Sequence, residues 1–244
     1  MNRMIGFSTS CVRGWELAPD DTVKLLTKGG ANGIELAFTS LDDLFLYDSY
    51  ISIKGEKLLR SLKHVSLHAP WTKIKYADNV ESQKVFEKLR QIKERIGARF
   101  IVFHTNVVED FGVLKYYELN PLIENIPSFD VSGLKELQTL MEKFDIGLCF
   151  DIHHACESDP SMNLSYKILE VFKERLSEVH VSGYNDNCPP VHQSKSRKLI
   201  INLLRQIPEN IPIIMESPIP KDKPEYLDKE LQFILAGLQC ELKK

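Results

Sequence analysis

Short apolar runs alternate with longer amphipathic stretches from one end of the chain to the other. The runs Met4–Ser8, Gly33–Ala37, Val65–His68, Phe100–His104, Pro121–Glu124, Ile146–Asp151, Glu178–Val181 and Ile211–Glu216 each have the length of a strand. Helical patterns fill the intervals at Asp21–Lys28, Ile53–Leu62, Ser82–Ile96, Val131–Phe144, Ser165–Leu176, Lys195–Gln206 and Pro224–Leu242. The interval Val107–Glu118 is short and irregular, which predicts a truncated fourth helix. Strands alternating with helices mean a parallel sheet with crossover connections. Eight such units, with no linker, repeat or low-complexity tract between them, predict one (β/α)8 TIM barrel over residues 1–244.

Within each run, parity separates two kinds of residue, because a barrel strand points alternate side chains at the helices and at the interior. Ile101 and Phe103 suit the helix layer and leave His104 inward. Ile146, Leu148 and Phe150 face out, leaving Gly147, Cys149 and Asp151 inward. The same rule turns His180 inward between Val179 and Val181, Glu216 after Met215, His68 after Leu67, and Glu35 between Ile34 and Leu36. These inward imidazoles and carboxylates fall at or near strand ends, before the loops where barrels of this kind place their chemistry.

Several buried carboxylates in one mouth cost several kcal/mol each unless they are paired, hydrogen-bonded or bound to a cation. The set His68, His104, Glu124, Asp151, His180 and Glu216 therefore points to divalent metal, since imidazole and carboxylate suit zinc, manganese or cobalt. A lone histidine is more often a satisfied core residue than a ligand, and His64 and His153 are read that way. Trp71, just past the His68 strand, is a candidate substrate contact with plain packing as the rival reading.

Composition narrows the class further. The chain has 244 residues, 43% hydrophobic and 27% charged, enough for one large core. A net charge of -3 supplies no whole-chain attraction to nucleic acid. The loop expected at Thr39–Asp48 carries Asp42, Asp43 and Asp48, where a phosphate-gripping loop should be basic. Lys195, Arg197 and Lys198 form the basic cluster nearest the mouth, with Lys195 the candidate substrate contact and a solvated helix face the competing reading. Five cysteines without a close-spaced framework, no signal-peptide core and no bilayer-length apolar stretch predict a cytoplasmic protein with no membrane partner.

Taken in order, Gly33-Ile34-Glu35-Leu36, Leu67-His68-Ala69-Pro70, Phe103-His104-Thr105, Ile123-Glu124-Asn125, Asp151-Ile152-His153-His154-Ala155, Val179-His180-Val181 and Met215-Glu216-Ser217 resemble the xylose isomerase-like TIM barrels. That superfamily includes the endonuclease IV-like branch (AP endonuclease family 2). The resemblance spans nearly the whole chain. It implies a metal held by Glu124, Asp151, His180 and Glu216, and an Asp-x-x-His pair made by Asp151 and His154. The endonuclease-like branch implies a second metal on His68, His104 and Glu124. A third site there would use His154 and His192, but Pro190 stands where an aspartate is expected, so two ions are the expectation.

The first reading is accordingly a two-zinc phosphodiester or phosphoester hydrolase, with Glu124 and Glu216 catalytic and a small phosphorylated substrate. Abasic DNA is disfavoured by charge. The alternative is a single-metal isomerase or epimerase of a sugar or keto-acid, in which Glu124 and Glu216 shuttle protons and Glu35 contacts substrate. The arginine such epimerases carry past the His180 strand is missing; Asp186 and Asn187 occupy that loop. A third reading is a metal-binding barrel that has lost catalysis.

Overall fold

The computed structural model describes residues 3–127, 131–184 and 188–239, with backbone alone for 48–50 and 131–132. Its eight parallel strands are β1 (Ile5–Ser8), β2 (Gly33–Ala37), β3 (His64–His68), β4 (Phe100–His104), β5 (Pro121–Glu124), β6 (Gly147–Asp151), β7 (Leu176–Val181) and β8 (Ile213–Met215). Each pairs with the next and β8 closes on β1, so the sheet is a (β/α)8 barrel.

Strand parity sorts the apolar residues into two separate clusters. Ile34, Leu36, Val65, Leu67, Ile101, Phe103, Leu148, Phe150, Val179 and Val181 join the large core between sheet and helices. Val102, Leu122 and Cys149, with Phe100 against them, form a small apolar wedge of their own. The helix layer follows from ordinary amphipathic patterning. In α4 (Val80–Ile96), Asn79 accepts from Ser82 N to cap the start, and Val85, Phe86, Leu89, Ile92 and Ile96 are buried. Gly97 ends it at φ 72, a conformation glycine adopts without steric cost.

Two helices depart from the expected pattern. The segment expected as the loop Thr39–Asp48 folds as α2 (Leu41–Tyr50). Ser40 and Asp43 form a reciprocal capping box at its start, which places acidic residues where the helix dipole favours them. The tract after Asp151 is α6 (Ile152–Ser158), capped by Asp151 itself. After β4 there are only two short 3-10 turns, Thr105–Val107 and Phe111–Lys115, in place of a fourth helix. The remaining helices are α1 (Pro19–Leu26), α3 (Ile53–Arg60), α5 (Val131–Phe144), α7 (Asn163–Phe172), α8 (Arg197–Leu204) and α9 (Glu225–Gln239). Among the described residues no helix is long and apolar enough to cross a membrane.

Candidate metal centre

Glu124 sits at the centre of the mouth. Its Oε2 lies 2.9 Å from His68 Nε2 and 3.1 Å from His104 Nε2, and its Oε1 lies 3.1 Å from His180 Nδ1. His180 Nδ1 is also 3.3 Å from Glu216 Oε2. Two ligand groups result, each with one donor atom per residue lying within 4.8 Å of the others. One is His68, His104 and Glu124; the other is Glu124, Asp151, His180 and Glu216. Glu124 is common to both.

Local structure explains why these donors aim inward. The Asp-x-x-His spacing is helix-capping geometry: Asp151 Oδ1 accepts from His154 N at 2.8 Å, which leaves Oδ2 for the mouth, 3.7 Å from His154 Nε2. Asn125, a contributor that parity did not single out, grips the Asp151 backbone in both directions. Its Oδ1 accepts from Asp151 N and its Nδ2 donates to Asp151 O, each at 2.8 Å. His68 donates through Nδ1 to the Ala69 carbonyl at 3.0 Å, which directs Nε2 at Glu124. Trp71 lies edge-on to His68 at 4.6 Å and stacks on His104 at 5.2 Å, so it packs directly on both imidazoles while remaining half-buried.

Below this ring the lumen holds a second polar layer. Glu178 Oε2 accepts from His64 Nε2 at 2.5 Å, and its Oε1 accepts from Ser66 Oγ at 3.0 Å and His180 Nε2 at 3.2 Å. The parity that turned His180 inward applies equally to Glu178, two residues earlier, so this carboxylate was readable from the chain. Glu35 is fully buried, its Oε2 3.1 Å from His180 Nε2, and neither oxygen makes an aligned hydrogen bond among the described residues. Glu35, expected as a substrate contact, thus lies inside the lumen against His180, without exposed surface.

Electrostatics shows what the ring lacks. Burial opposes charging of His68, yet the Glu124 hydrogen bond and the charges of Glu35, Glu124 and Glu216 outweigh it and raise His68 to about 9. His154 is likewise driven to about 9, with burial overcome by Asp151, Glu124, Glu157 and Glu216. Burial, aided by Glu124 and Glu216, lifts Asp151 to about 6. Glu124 is buried too, but His104 and His180 hold it well below the usual carboxylate range. Protons thus gather where a cation would serve equally well, and the donor set fits a divalent metal.

The other expected contacts are placed differently. His192 does not join any of these groups: its Nδ1 lies 2.7 Å from the buried Glu230, which also accepts from the backbone N of Val191 and His192. Its Nε2 is buried with no hydrogen-bond partner among the described residues, and Pro190 stands where an aspartate was expected. His153 donates through Nδ1 to the Gly183 carbonyl at 3.1 Å, and His64 is the buried partner of Glu178, as described above. Lys195 is exposed just ahead of α8. A cation that sequence reading passed over stands closer: the Arg13 guanidinium lies 5.7 Å from the centre of the Trp71 ring and donates to Ala37 O at 3.3 Å. It also lines a cavity of about 360 Å³ walled by Val12, Leu36, Phe38 and Tyr47. Nothing in its surroundings in sequence marks it, because the turn after β1 alone brings it across. Asp186 and Asn187 lie outside the described residues.

The (β/α)8 fold is similar to that of several solved structures. Endonuclease IV from Thermus thermophilus superposes with a TM-score of 0.68 at 17% identity, covering 97% of this chain and 99% of that one. A xylose isomerase domain-containing protein from Salmonella typhimurium gives 0.71 at 15% identity over 98% of both chains. The E. coli 3-keto-D-glucoside 4-epimerase gives 0.68 at 13% identity over 96% of this chain and 99% of that one. By sequence, the chain matches no protein-family model and no curated relative.

Proposed function

We propose that this chain is a divalent-metal-dependent hydrolase of the endonuclease IV-like branch, acting on phosphoester bonds of small substrates. One observation carries the reading: two ligand groups meet at a shared carboxylate, Glu124. A bridging carboxylate between a histidine pair and a mixed carboxylate–histidine set is a frame for two ions, zinc being favoured by the imidazole and carboxylate donors. His68 and His104 would hold one ion with Glu124; Asp151, His180 and Glu216 would hold the other. Bound there, the ions would supply an acidified water and charge neutralisation at the phosphoryl oxygens.

The chain's own groups divide the remaining work. Glu216 keeps 20% of its side chain exposed and is placed to accept a proton at the mouth. Arg13 offers a guanidinium to an anionic group beside Trp71, whose ring walls the same side. The structurally similar endonuclease IV is by name a nuclease, and the low net charge of this chain favours a small phosphoester over duplex DNA.

The single-metal isomerase or epimerase is the second reading, favoured by one point. The group Glu124, Asp151, His180 and Glu216 is complete without the two histidines. Metal counting separates the two. His104→Ala is expected to lower the content of the purified protein by about one ion and to abolish hydrolysis of an aryl phosphodiester. A wild-type protein that holds one ion, leaves the phosphodiester untouched and interconverts ketoses would overturn the hydrolase reading. On abasic duplex, binding is expected to be weak with a shallow salt slope, against about -0.9 in log–log slope for each phosphate a DNA enzyme neutralises.

A further inference from the structure

A different set of donors gathers beside the mouth, three from α6 and one from the segment after β7. His153 Nε2 lies 3.0 Å from Cys188 Sγ and 3.6 Å from Glu157 Oε1. His154 Nδ1 lies 3.0 Å from Glu157 Oε2. One donor atom each of His153, His154 and Glu157 lies within 4.8 Å of the others. His153 and Glu157 are four residues apart on one helix and so share a face.

Two further features orient this set. The His153 Nδ1–H is taken by the Gly183 carbonyl at 3.1 Å, which fixes the tautomer and leaves Nε2 as the lone-pair nitrogen facing the thiol. Cys188 has φ 45, in the left-handed region that non-glycine residues rarely occupy, so the local fold holds its thiol against the ring at some backbone cost. Cys188 is also half-buried, whereas Cys11, Cys149 and Cys156 are buried.

We propose that His153, Glu157 and Cys188, completed by His154, bind a zinc-class divalent cation at a site separate from the Glu124 cluster. The donor chemistry selects the class. Mixed imidazole, carboxylate and thiolate ligands suit zinc or cobalt and not magnesium or calcium. Ligand bonds of 2.0–2.3 Å in a tetrahedron put donors roughly 3.3–3.8 Å apart. The His153–Cys188, His153–Glu157 and His154–Glu157 separations lie near that range, while the Cys188 thiol, outside the 4.8 Å group of the other three, has to swing in from His153 to join them. The rival chemistry for a Cys–His contact is a thiolate nucleophile, which needs a depressed thiol. Here burial and the charges of Glu157, Asp151 and Glu216 hold the Cys188 thiol up. Such an ion would clip the segment after β7 onto α6 at the rim of the mouth. The assignment is independent of the reaction proposed above, and its ligand set is not the His154–His192 pair expected from resemblance.

The test is a cobalt titration of chelator-stripped protein, read as the near-ultraviolet thiolate-to-cobalt band and as ions bound per chain, with circular dichroism as the folding control. The band is expected in the wild type, in Cys149→Ser and in Glu216→Ala, and is expected to vanish in Cys188→Ser with loss of about one ion. Persistence of the band in Cys188→Ser, its loss in Cys149→Ser, or cobalt binding by the wild type without a band would each overturn the site. If Cys188→Ser fails to fold, peptide-level alkylation of the wild type decides. Zinc should protect Cys188, and undiminished labelling at saturating zinc sinks the proposal. Failure of the Glu124 cluster reads out separately, as unchanged ion content in Glu216→Ala.

Discussion

The barrel lumen contains two polar layers that differ in how well they are satisfied. In the lower one, Glu178 accepts from His64, Ser66 and His180, so its two oxygens are met by three donors without any added group. In the upper one, Glu124 faces three imidazoles while Asp151 and Glu216 crowd the same space. Only extra positive charge, as protons or as metal, balances that ring. His180 belongs to both layers, with Nδ1 turned up to Glu124 and Nε2 turned down to Glu178 and Glu35. A self-satisfied buried network needs no added group, whereas an unbalanced one calls for a cation; the shared histidine ties the first to the second.

The largest effect expected from this contrast is at the shared carboxylate. Glu124→Ala should strip both ions and lower hydrolysis by more than about 10²-fold, the upper end of what loss of a ligand's outer partner costs, while the chain stays folded. Retention of both ions by that variant, measured by elemental analysis, would dissolve the distinction between the layers.

Next comes the lower layer. Glu178→Ala removes the acceptor of two buried imidazoles and should destabilise the fold by roughly 3–5 kcal/mol, the range for breaking a buried charged pair. Glu178→Gln, which keeps one oxygen acceptor, should fold more stably than the alanine variant yet bind metal about 10–100-fold more weakly, because His180 loses its carboxylate partner. Denaturant midpoints and a zinc titration check the pair. Equal metal affinity in Glu178→Gln and wild type would show that the lower layer does not reach the upper.

The gentlest probe is pH. In metal-free protein His68 and His154 are raised to about 9 and Asp151 to about 6. A raised folded-state value means stability fully present below the unfolded value and lost as pH climbs through the folded one. For the histidines that window runs from about 6.5 to about 9, and for Asp151 from 3.8 to about 6. The Tm of chelated protein should therefore fall from mild acid towards pH 9. The increment gained on adding zinc should rise over the same range, since the ion competes with those protons. Parallel slopes for chelated and loaded protein would contradict a cation-seeking upper ring.

Much of this arrangement was readable in the chain, and for a definite reason. Period-2 alternation in a closed barrel assigns every strand residue to one of two sides, so Ile101 and Phe103 pack outward and His104 turns in without further information. The capping box of Ser40 and Asp43 is a local signal too, and it starts a helix where acidity alone suggested a loop. What parity cannot supply is distance around the barrel. That Glu178 reaches across to His64, 114 residues away in sequence, depends on strand order and register. So does the placement of Arg13 over Trp71, and that of His192 beside Glu230. Local sequence decided which side chains face the lumen, because that is a property of one strand at a time. Which of them meet was decided by closure of the barrel, because only closure brings donors from distant strands within a hydrogen bond of one another.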